Sequence, residues 1–98
     1  MPGIPTVYIL ASKPRGTLYT GVTSQLVQRI WQRREGCADG FTKRYGVKRL
    51  VWYEQHTDMI NALKCEKTIK RWPRQWKFNI IQKFNPEWED LWAGIVAR

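Results

Sequence analysis

Short apolar runs alternate with turn-forming segments in the first half of the chain. Residues 6–11 (TVYILA) are almost continuously apolar and rich in β-branched and aromatic types, which predicts a central strand. The Pro and Gly at 12–16 (SKPRG) are typical of a turn, and 17–22 (TLYTGV) predicts a second strand, so an antiparallel hairpin is expected. A third strand is predicted at 49–54 (RLVWYE).

Helical spacing of apolar residues marks the remaining segments. A first helix is predicted over 25–34, after the potential N-cap residues Thr23 and Ser24. A longer helix is predicted from a cap at 57 or 58 to about residue 72. A further helix is predicted over 73–83, opened by its proline, and a short helical turn near the C-terminus. Residues 36–46 are expected to form a loop with at most one helical turn.

The order β-β-α-β-α-α predicts an α+β fold, a small three-stranded, mostly antiparallel sheet flanked by helices, in a single domain over 1–98. Its core should include the apolar stripes of the first two helices and the C-terminal tryptophans. These residues are Leu26, Val27, Ile30 and Trp31, then Met59, Ala62, Leu63 and Ile69, and finally Trp72, Trp76, Trp88 and Trp92.

The charge of the chain narrows the class of partner. Seventeen Lys and Arg against eight acidic residues give a formal net charge of +9 over 98 residues. Nucleic acid is the usual partner of so basic a domain. A membrane surface fits less well, because no long amphipathic helix carries the charge; an ordinary solvated surface stays open. The expected backbone track is a basic face made of Lys67, Lys70, Arg71, Arg74 and Lys77.

The cysteines and the N-terminal residues indicate a reduced, cytoplasmic protein. Cys37 and Cys65 lack the spacing of a zinc site, and the chain's one histidine, His56, is expected to be a turn residue. Residues 1–5 lack the pattern of a signal peptide, and no apolar run reaches membrane-spanning length.

Glu66 is the first residue that helical periodicity does not explain. Counting by three and four from Met59 through Ala62 reaches Glu66, which puts a carboxylate on or beside the apolar stripe of the long helix. A carboxylate in such a place must be paired or must bind a metal. Two interpretations remain open: a salt bridge to a nearby arginine, or a ligand for a hard cation such as Mg²⁺.

Two further groups carry potential chemistry. Arg29 and Arg33 lie four residues apart on the first helix, where they repel each other unless an anion such as phosphate lies near both. Tyr8 and Tyr19 should be neighbours on adjacent strands, with Gly21 on the same face leaving room for close approach. A solvated helix face and ordinary core tyrosines are the structural alternatives.

Taken together, these residues resemble the GIY-YIG nuclease family. Its first motif corresponds to 6–8 (TVY) and its second to 19–21 (YTG), followed by Arg29 on a helix and Glu66 on a later one. Its small freestanding bacterial members, the UPF0213 group, are the closer likeness. Their signatures are similar to 40–46 (GFTKRYG) and 85–91 (NPEWEDL).

The resemblance implies phosphodiester hydrolysis with one divalent metal, Mg²⁺ or Mn²⁺, held by Glu66. Tyr8 or Tyr19 would help to deprotonate the attacking water, and Arg29 would stabilise the charge that grows on the phosphate. The nucleic-acid contacts would include Gly21, Arg33 and the basic face. Asn85 would join them, since it matches a polar residue that some relatives place near the site.

Two departures from the family pattern bear on activity. Arg33 stands where many relatives carry His or Tyr, and an arginine cannot accept a proton at neutral pH. Val22 stands where some relatives carry lysine directly after the second motif. Either change could slow the reaction.

The sequence thus leaves three functions to compare. The first is a structure-directed or weakly specific DNA endonuclease, and the second is a non-catalytic nucleic-acid-binding module of the same fold. The third is a basic accessory protein in which Glu66 forms a structural salt bridge.

Overall fold

Three strands form the sheet in the computed structural model, which describes residues 3–35 and 45–96: Thr6–Ala11 (β1), Leu18–Thr23 (β2) and Arg49–Gln55 (β3). Their order is β2-β1-β3, and both neighbouring pairs are antiparallel. All six residues of β1 are buried, as expected of a continuous apolar strand covered on both faces. The predicted α+β class, a small antiparallel sheet with flanking helices, is confirmed.

The described helices are Leu26–Arg34 (α1), Met59–Arg71 (α2), Arg74–Phe84 (α3) and Trp92–Val96 (α4). The starts and ends of the first three lie within one residue of those predicted. The side chain of Asp58 caps α2 by accepting a hydrogen bond from the main-chain N–H three residues further on.

Alternate side chains of β1 enter two apolar clusters, one on each face of the sheet. One cluster joins β1 to α2 and α3, and its buried members include Val7, Ile9, Ala62, Ile69, Phe78 and Ile81. The other joins β1 to α1 and α4, and its buried members include Tyr8, Leu10, Ile30 and Ile95. Tyr8, Tyr19 and Gly21 therefore belong to the face covered by α1.

Four residues that were predicted to belong to the core are exposed. Val27, Trp31, Leu63 and Trp76 are 44%, 50%, 40% and 54% exposed, respectively. Three strands make a narrow sheet, so each helix buries only the residues that point directly at it; in α1 these are Ile30 and Arg33. Among the C-terminal tryptophans, the one at position 88 is buried as predicted, and those at 72 and 92 are partly buried.

The segment after α3 is attached to β3 by the buried side chain of Asn85. Its Nδ2 donates to the carbonyl oxygens of Val51, at 3.2 Å, and Glu89, at 2.8 Å. Its Oδ1 accepts from the main-chain N–H of Glu89 at 3.1 Å. The structure thus accounts for Asn85 by main-chain bonds, and its predicted contact with nucleic acid stays a prediction.

Asn85→Ala should lower the free energy of unfolding by about 2–3 kcal/mol, because it leaves buried main-chain groups without partners. Chemical denaturation measures the loss. Asn79→Ala is the control, since Asn79 is exposed on α3 and accepts a side-chain hydrogen bond from Gln75. Equal stability of the two variants would show that the Asn85 bonds contribute nothing.

Within residues 3–35 and 45–96, no helix is long and apolar enough to cross a membrane. The predicted loop at 36–46 and the first of the two subfamily signatures lie mostly outside the described residues, as does Cys37.

Candidate active site

Tyr8 and Tyr19 are neighbours on β1 and β2, as predicted. Tyr8 lies opposite Gly21, and two residue pairs further along the strands Tyr19 lies opposite Leu10. The centroids of the two tyrosine rings are 6.4 Å apart, and the ring planes are inclined by 39°. Strand pairing alone therefore brings the two family motifs together.

The Tyr8 hydroxyl is buried and makes no well-formed hydrogen bond to any described residue. Burial is the main cause that raises its pKa above 10.0, and the guanidinium groups of Arg33 and Arg29 oppose that rise. A buried hydroxyl without a well-formed hydrogen bond is uncommon in native proteins. The Arg33 guanidinium acts on this hydroxyl by its charge and by a weak hydrogen bond, so Tyr8 and Arg33 belong to one polar cluster.

Gly21 provides the space that the Tyr8 ring occupies. A Cβ built at Gly21 would overlap the Tyr8 hydroxyl oxygen and lie 2.5 Å from its Cζ and 2.9 Å from its Cε2. No Cβ of a real residue approaches another side chain so closely. The close approach expected at this glycine is thus filled by a tyrosine ring.

Gly21→Ala should push the Tyr8 ring aside and cost about 1–3 kcal/mol of unfolding free energy, as overpacking of a core does. Thermal unfolding measures the cost. Gly94→Ala is the control, because nothing lies within 4 Å of a Cβ built there. If the two alanine variants were equally stable, the Tyr8 ring would have to be free to move.

Arg33 is turned inward and is only 6% exposed. Its Nη2 donates to the Tyr19 hydroxyl oxygen at 2.9 Å, and its Cζ lies 4.7 Å from the centroid of the Tyr19 ring. The solvated helix face considered as an alternative for this arginine is therefore wrong. The bond from Arg33 fixes the direction of the Tyr19 hydroxyl.

Arg29 is partly buried and lines an open pocket beside the end of β2. Gln28 and Gln32 of the same helix and Met59 at the start of α2 also line it. Its charge reaches the Tyr8 hydroxyl, because it lowers the pKa of that group. Arg29 therefore combines access to solvent with proximity to the tyrosine pair.

Glu66 is mostly buried and is paired with a lysine. Its side chain is 12% exposed, and its Oε2 lies 2.9 Å from the Nζ of Lys70, which is 50% exposed. Glu66 is the main cause that raises the pKa of Lys70, and Tyr19 and Tyr8 also raise it. The ion pair thus lies within electrostatic reach of both tyrosines. The partner of Glu66 is a lysine, whereas the salt-bridge interpretation expected an arginine.

The predicted basic face is only partly available to a ligand. Lys67, Lys70 and Arg71 are exposed on α2. Arg74 instead donates to the two carbonyl oxygens of the β1–β2 turn and lies over the Phe78 ring. Lys77 is partly buried, and burial followed by its basic neighbours lowers its pKa.

One cluster of chemically active side chains was not predicted from the sequence. Glu54, His56 and Cys65 place one donor atom each within 4.8 Å of one another. From the sequence, His56 was expected to be a turn residue, and the cysteines lacked the spacing of a zinc site. This arrangement was therefore not expected. The available signal was weak: Glu54 and His56 are two residues apart, and Cys65 follows on the next helix.

Comparison with known proteins adds to this geometry. The family model of the GIY-YIG catalytic domain matches residues 4–79. A UPF0213 protein of Clostridium perfringens is 36% identical over 75 residues, 76% of this chain and 80% of that protein. Similar proteins of Staphylococcus epidermidis and Staphylococcus aureus are 35% and 32% identical over 77 residues, each covering 79% of this chain and 93% of the relative. No solved structure matches the chain.

Proposed function

The chain belongs to the GIY-YIG nuclease family, and from that premise we propose that it is a divalent-metal-dependent DNA endonuclease, structure-directed or weakly specific. Family membership supports an endonuclease-type function on nucleic acid. The single observation that carries the finer proposal is a pair of neighbouring tyrosines close to positive charge and to the Glu66–Lys70 ion pair. Tyr8 is buried and Tyr19 is half-buried, and Arg29 and Arg33 supply the positive charge. A single domain over 1–98 in the cytoplasm is part of the same proposal.

The two tyrosines have different roles in this proposal. Tyr8 stays protonated, because burial raises its pKa, and so it donates a hydrogen bond to an oxygen of the scissile phosphate. Tyr19 orients the attacking water, whose proton leaves to solvent, and the Arg33 guanidinium holds the Tyr19 hydroxyl in place by donating to its oxygen. Arg33 is then a positioning residue for Tyr19, and the partly exposed Arg29 stabilises charge on the phosphate.

Glu66 fits a hard divalent cation, and Mg²⁺ or Mn²⁺ is the proposed cofactor. Its carboxylate is mostly buried, and the Lys70 side chain that pairs with it is half exposed and can be replaced by a cation. Mg²⁺ often takes a single protein carboxylate together with phosphate and water. When bound, the metal would polarise the phosphoryl oxygen and neutralise the leaving group.

Access to Tyr8 requires a side chain to move. Tyr8 has no exposed surface, so a neighbour must be displaced before its hydroxyl reaches a phosphate. Lys70 is the candidate, because it is half exposed, pairs with Glu66 and lies near both tyrosines. Its ammonium can move from the carboxylate to the DNA backbone, where Lys67 and Arg71 extend the positive surface.

Cleavage of one sequence presented as branched DNA, duplex DNA, single-stranded DNA and RNA tests the substrate class, with Mg²⁺ or Mn²⁺ present. Faster cutting of branched DNA than of duplex supports structure-directed cleavage of DNA. Equal cutting of all DNA forms supports weak specificity. Cutting confined to the RNA would contradict the choice of DNA.

A non-catalytic nucleic-acid-binding module is the second candidate, and the bond between Arg33 and Tyr19 favours it. Many members of the family are expected to carry His or Tyr at this position, whereas here the arginine donates to the hydroxyl of Tyr19. Under this alternative the wild type binds DNA in a salt-sensitive way and does not cut. Arg33→His would then be expected to start cleavage, whereas the endonuclease proposal expects the wild type itself to cut.

A further inference from the structure

Three side chains of different chemistry meet where the end of β3 faces α2. Glu54 and His56 are two residues apart, and Cys65 lies in the middle of α2. The Oε1 atom of Glu54 lies 3.1 Å from the Nε2 of His56 and 3.8 Å from the Sγ of Cys65. The three donor atoms are all within 4.8 Å of one another.

The Nε2 atom of His56 lies in this cluster without a well-formed hydrogen bond. The main-chain N–H of this residue donates to the Pro5 carbonyl at 2.8 Å, which fixes the residue beside β1. Its Nε2 is buried and has no hydrogen-bond partner in the part of the chain that the structure describes. An imidazole nitrogen and a carboxylate oxygen so close together need a proton or a metal ion between them.

The thiol of Cys65 also faces the carboxylate. Its Sγ donates a weak hydrogen bond to the Oε1 atom of Glu54 at 3.8 Å. A cation bound to all three groups would replace this bond, and the thiol would release its proton to solvent on binding.

We propose that Glu54, His56 and Cys65 form a binding site for a divalent cation of the zinc class, with water as its fourth ligand. Tetrahedral zinc bonds of about 2.0–2.3 Å place neighbouring donor atoms roughly 3.3–3.6 Å apart. The two separations from Glu54, 3.1 and 3.8 Å, lie on either side of that range, and the third separation is at most 4.8 Å. Thiolate and imidazole select zinc over magnesium, and the half-exposed Glu54 leaves one side open to water.

This site is separate from the one proposed around Glu66. Adjacent residues of a helix point about 100° apart, so Cys65 and Glu66 face different directions. Cys65 faces the end of β3, whereas Glu66 pairs with Lys70 near the tyrosines. A metal ion here would join β3 to α2 and so restrain the helix that carries Glu66. The inference does not depend on nuclease activity.

Titration of the full, metal-free chain with Co²⁺ under reducing conditions tests the site, because thiolate-bound Co²⁺ has a distinctive charge-transfer absorption. We expect one Co²⁺ per chain with this absorption, and its displacement by Zn²⁺. Cys65→Ser should abolish the absorption. His56→Gln, which keeps the thiol, should weaken Co²⁺ binding by at least about tenfold.

Two controls separate this site from other sources of signal. Cys37→Ser, which removes the chain's other cysteine, and Glu66→Gln should both keep the absorption. Zn²⁺ should also raise the melting temperature of the wild type, raise that of His56→Gln by less, and leave that of Cys65→Ser unchanged. No absorption in the wild type, or an absorption lost with Cys37 and kept without Cys65, would overturn the proposal.

Discussion

Tyr8→Phe should slow DNA cleavage by about a hundredfold or more. This is the usual cost of losing one hydrogen bond to the charge that develops in the transition state. The substitution should not destabilise the fold. The hydroxyl removed is buried without a well-formed hydrogen bond to a described residue. Its loss should leave unfolding free energy unchanged or raise it by up to about 1 kcal/mol. Single-turnover cleavage and chemical denaturation measure the two effects.

Alkaline pH gives the same residue a second test. Because folding raises the pKa of Tyr8 above 10.0, its neutral form contributes stability below that pH, and this stability is lost as pH rises through the folded pKa. Tyr8→Phe should therefore lose less stability than the wild type above pH 10.0.

Tyr53→Phe is the matched control, because Tyr53 lies directly opposite Tyr8 on β3. It should cut DNA as the wild type does. Full activity of Tyr8→Phe, or an equal loss in both variants, would rule out a specific role for the Tyr8 hydroxyl.

Glu66→Gln should abolish metal-dependent cleavage, a loss of at least about a hundredfold, and should leave DNA binding nearly intact. The substitution keeps the shape of the side chain and removes its charge. It also breaks the ion pair with Lys70, but an i,i+4 pair with a half-exposed lysine contributes less than about 1 kcal/mol. The loss of cleavage would therefore not be a loss of folding.

Lys70→Gln breaks the same ion pair and keeps the carboxylate. It should bind DNA more weakly, with a shallower dependence on salt, and still turn over with metal at saturating DNA. If Glu66→Gln and Lys70→Gln lost stability equally and neither affected turnover, Glu66 would be the structural salt-bridge residue of the accessory-protein alternative.

The strands and helices followed closely from local sequence signals. The run 6–11 is apolar at every position but one and became β1 within its predicted bounds.

The turn at 12–16 was also predicted correctly, but its residues have other roles than the turn pattern suggested. Arg15 adopts the positive φ of 58°, and Gly16 is buried where a Cβ would lie 2.8 Å from the Cγ of Lys13. The sequence alone does not show whether a glycine is needed for a positive φ or because no side chain fits at its position.

The site residues were predicted less completely, because their contacts depend on tertiary packing. The neighbourhood of Tyr8 and Tyr19 follows from strand pairing and is confirmed. The inward turn of Arg33 does not follow from a helical pattern, which treats an arginine as a surface residue. Likewise, no spacing rule predicts that Cys65 faces Glu54 and His56, because a strand end and a helix bring them together.

Exposed aromatic residues show a similar limit. Trp31 and Trp76 fit helical stripes in the sequence, yet half of each side chain is exposed. Periodicity predicts which helix face is apolar, but the width of the sheet decides how much of that face is covered.

The most direct test is cleavage of a labelled branched DNA by the purified wild type with Mg²⁺ or Mn²⁺, with and without EDTA, beside Glu66→Gln. A metal-dependent endonuclease centred on Glu66 should cut with metal and stop in EDTA. The Glu66→Gln variant should bind the same DNA without cutting it. Salt-sensitive binding by the wild type with no cleavage under either metal would contradict the nuclease proposal and favour the binding module.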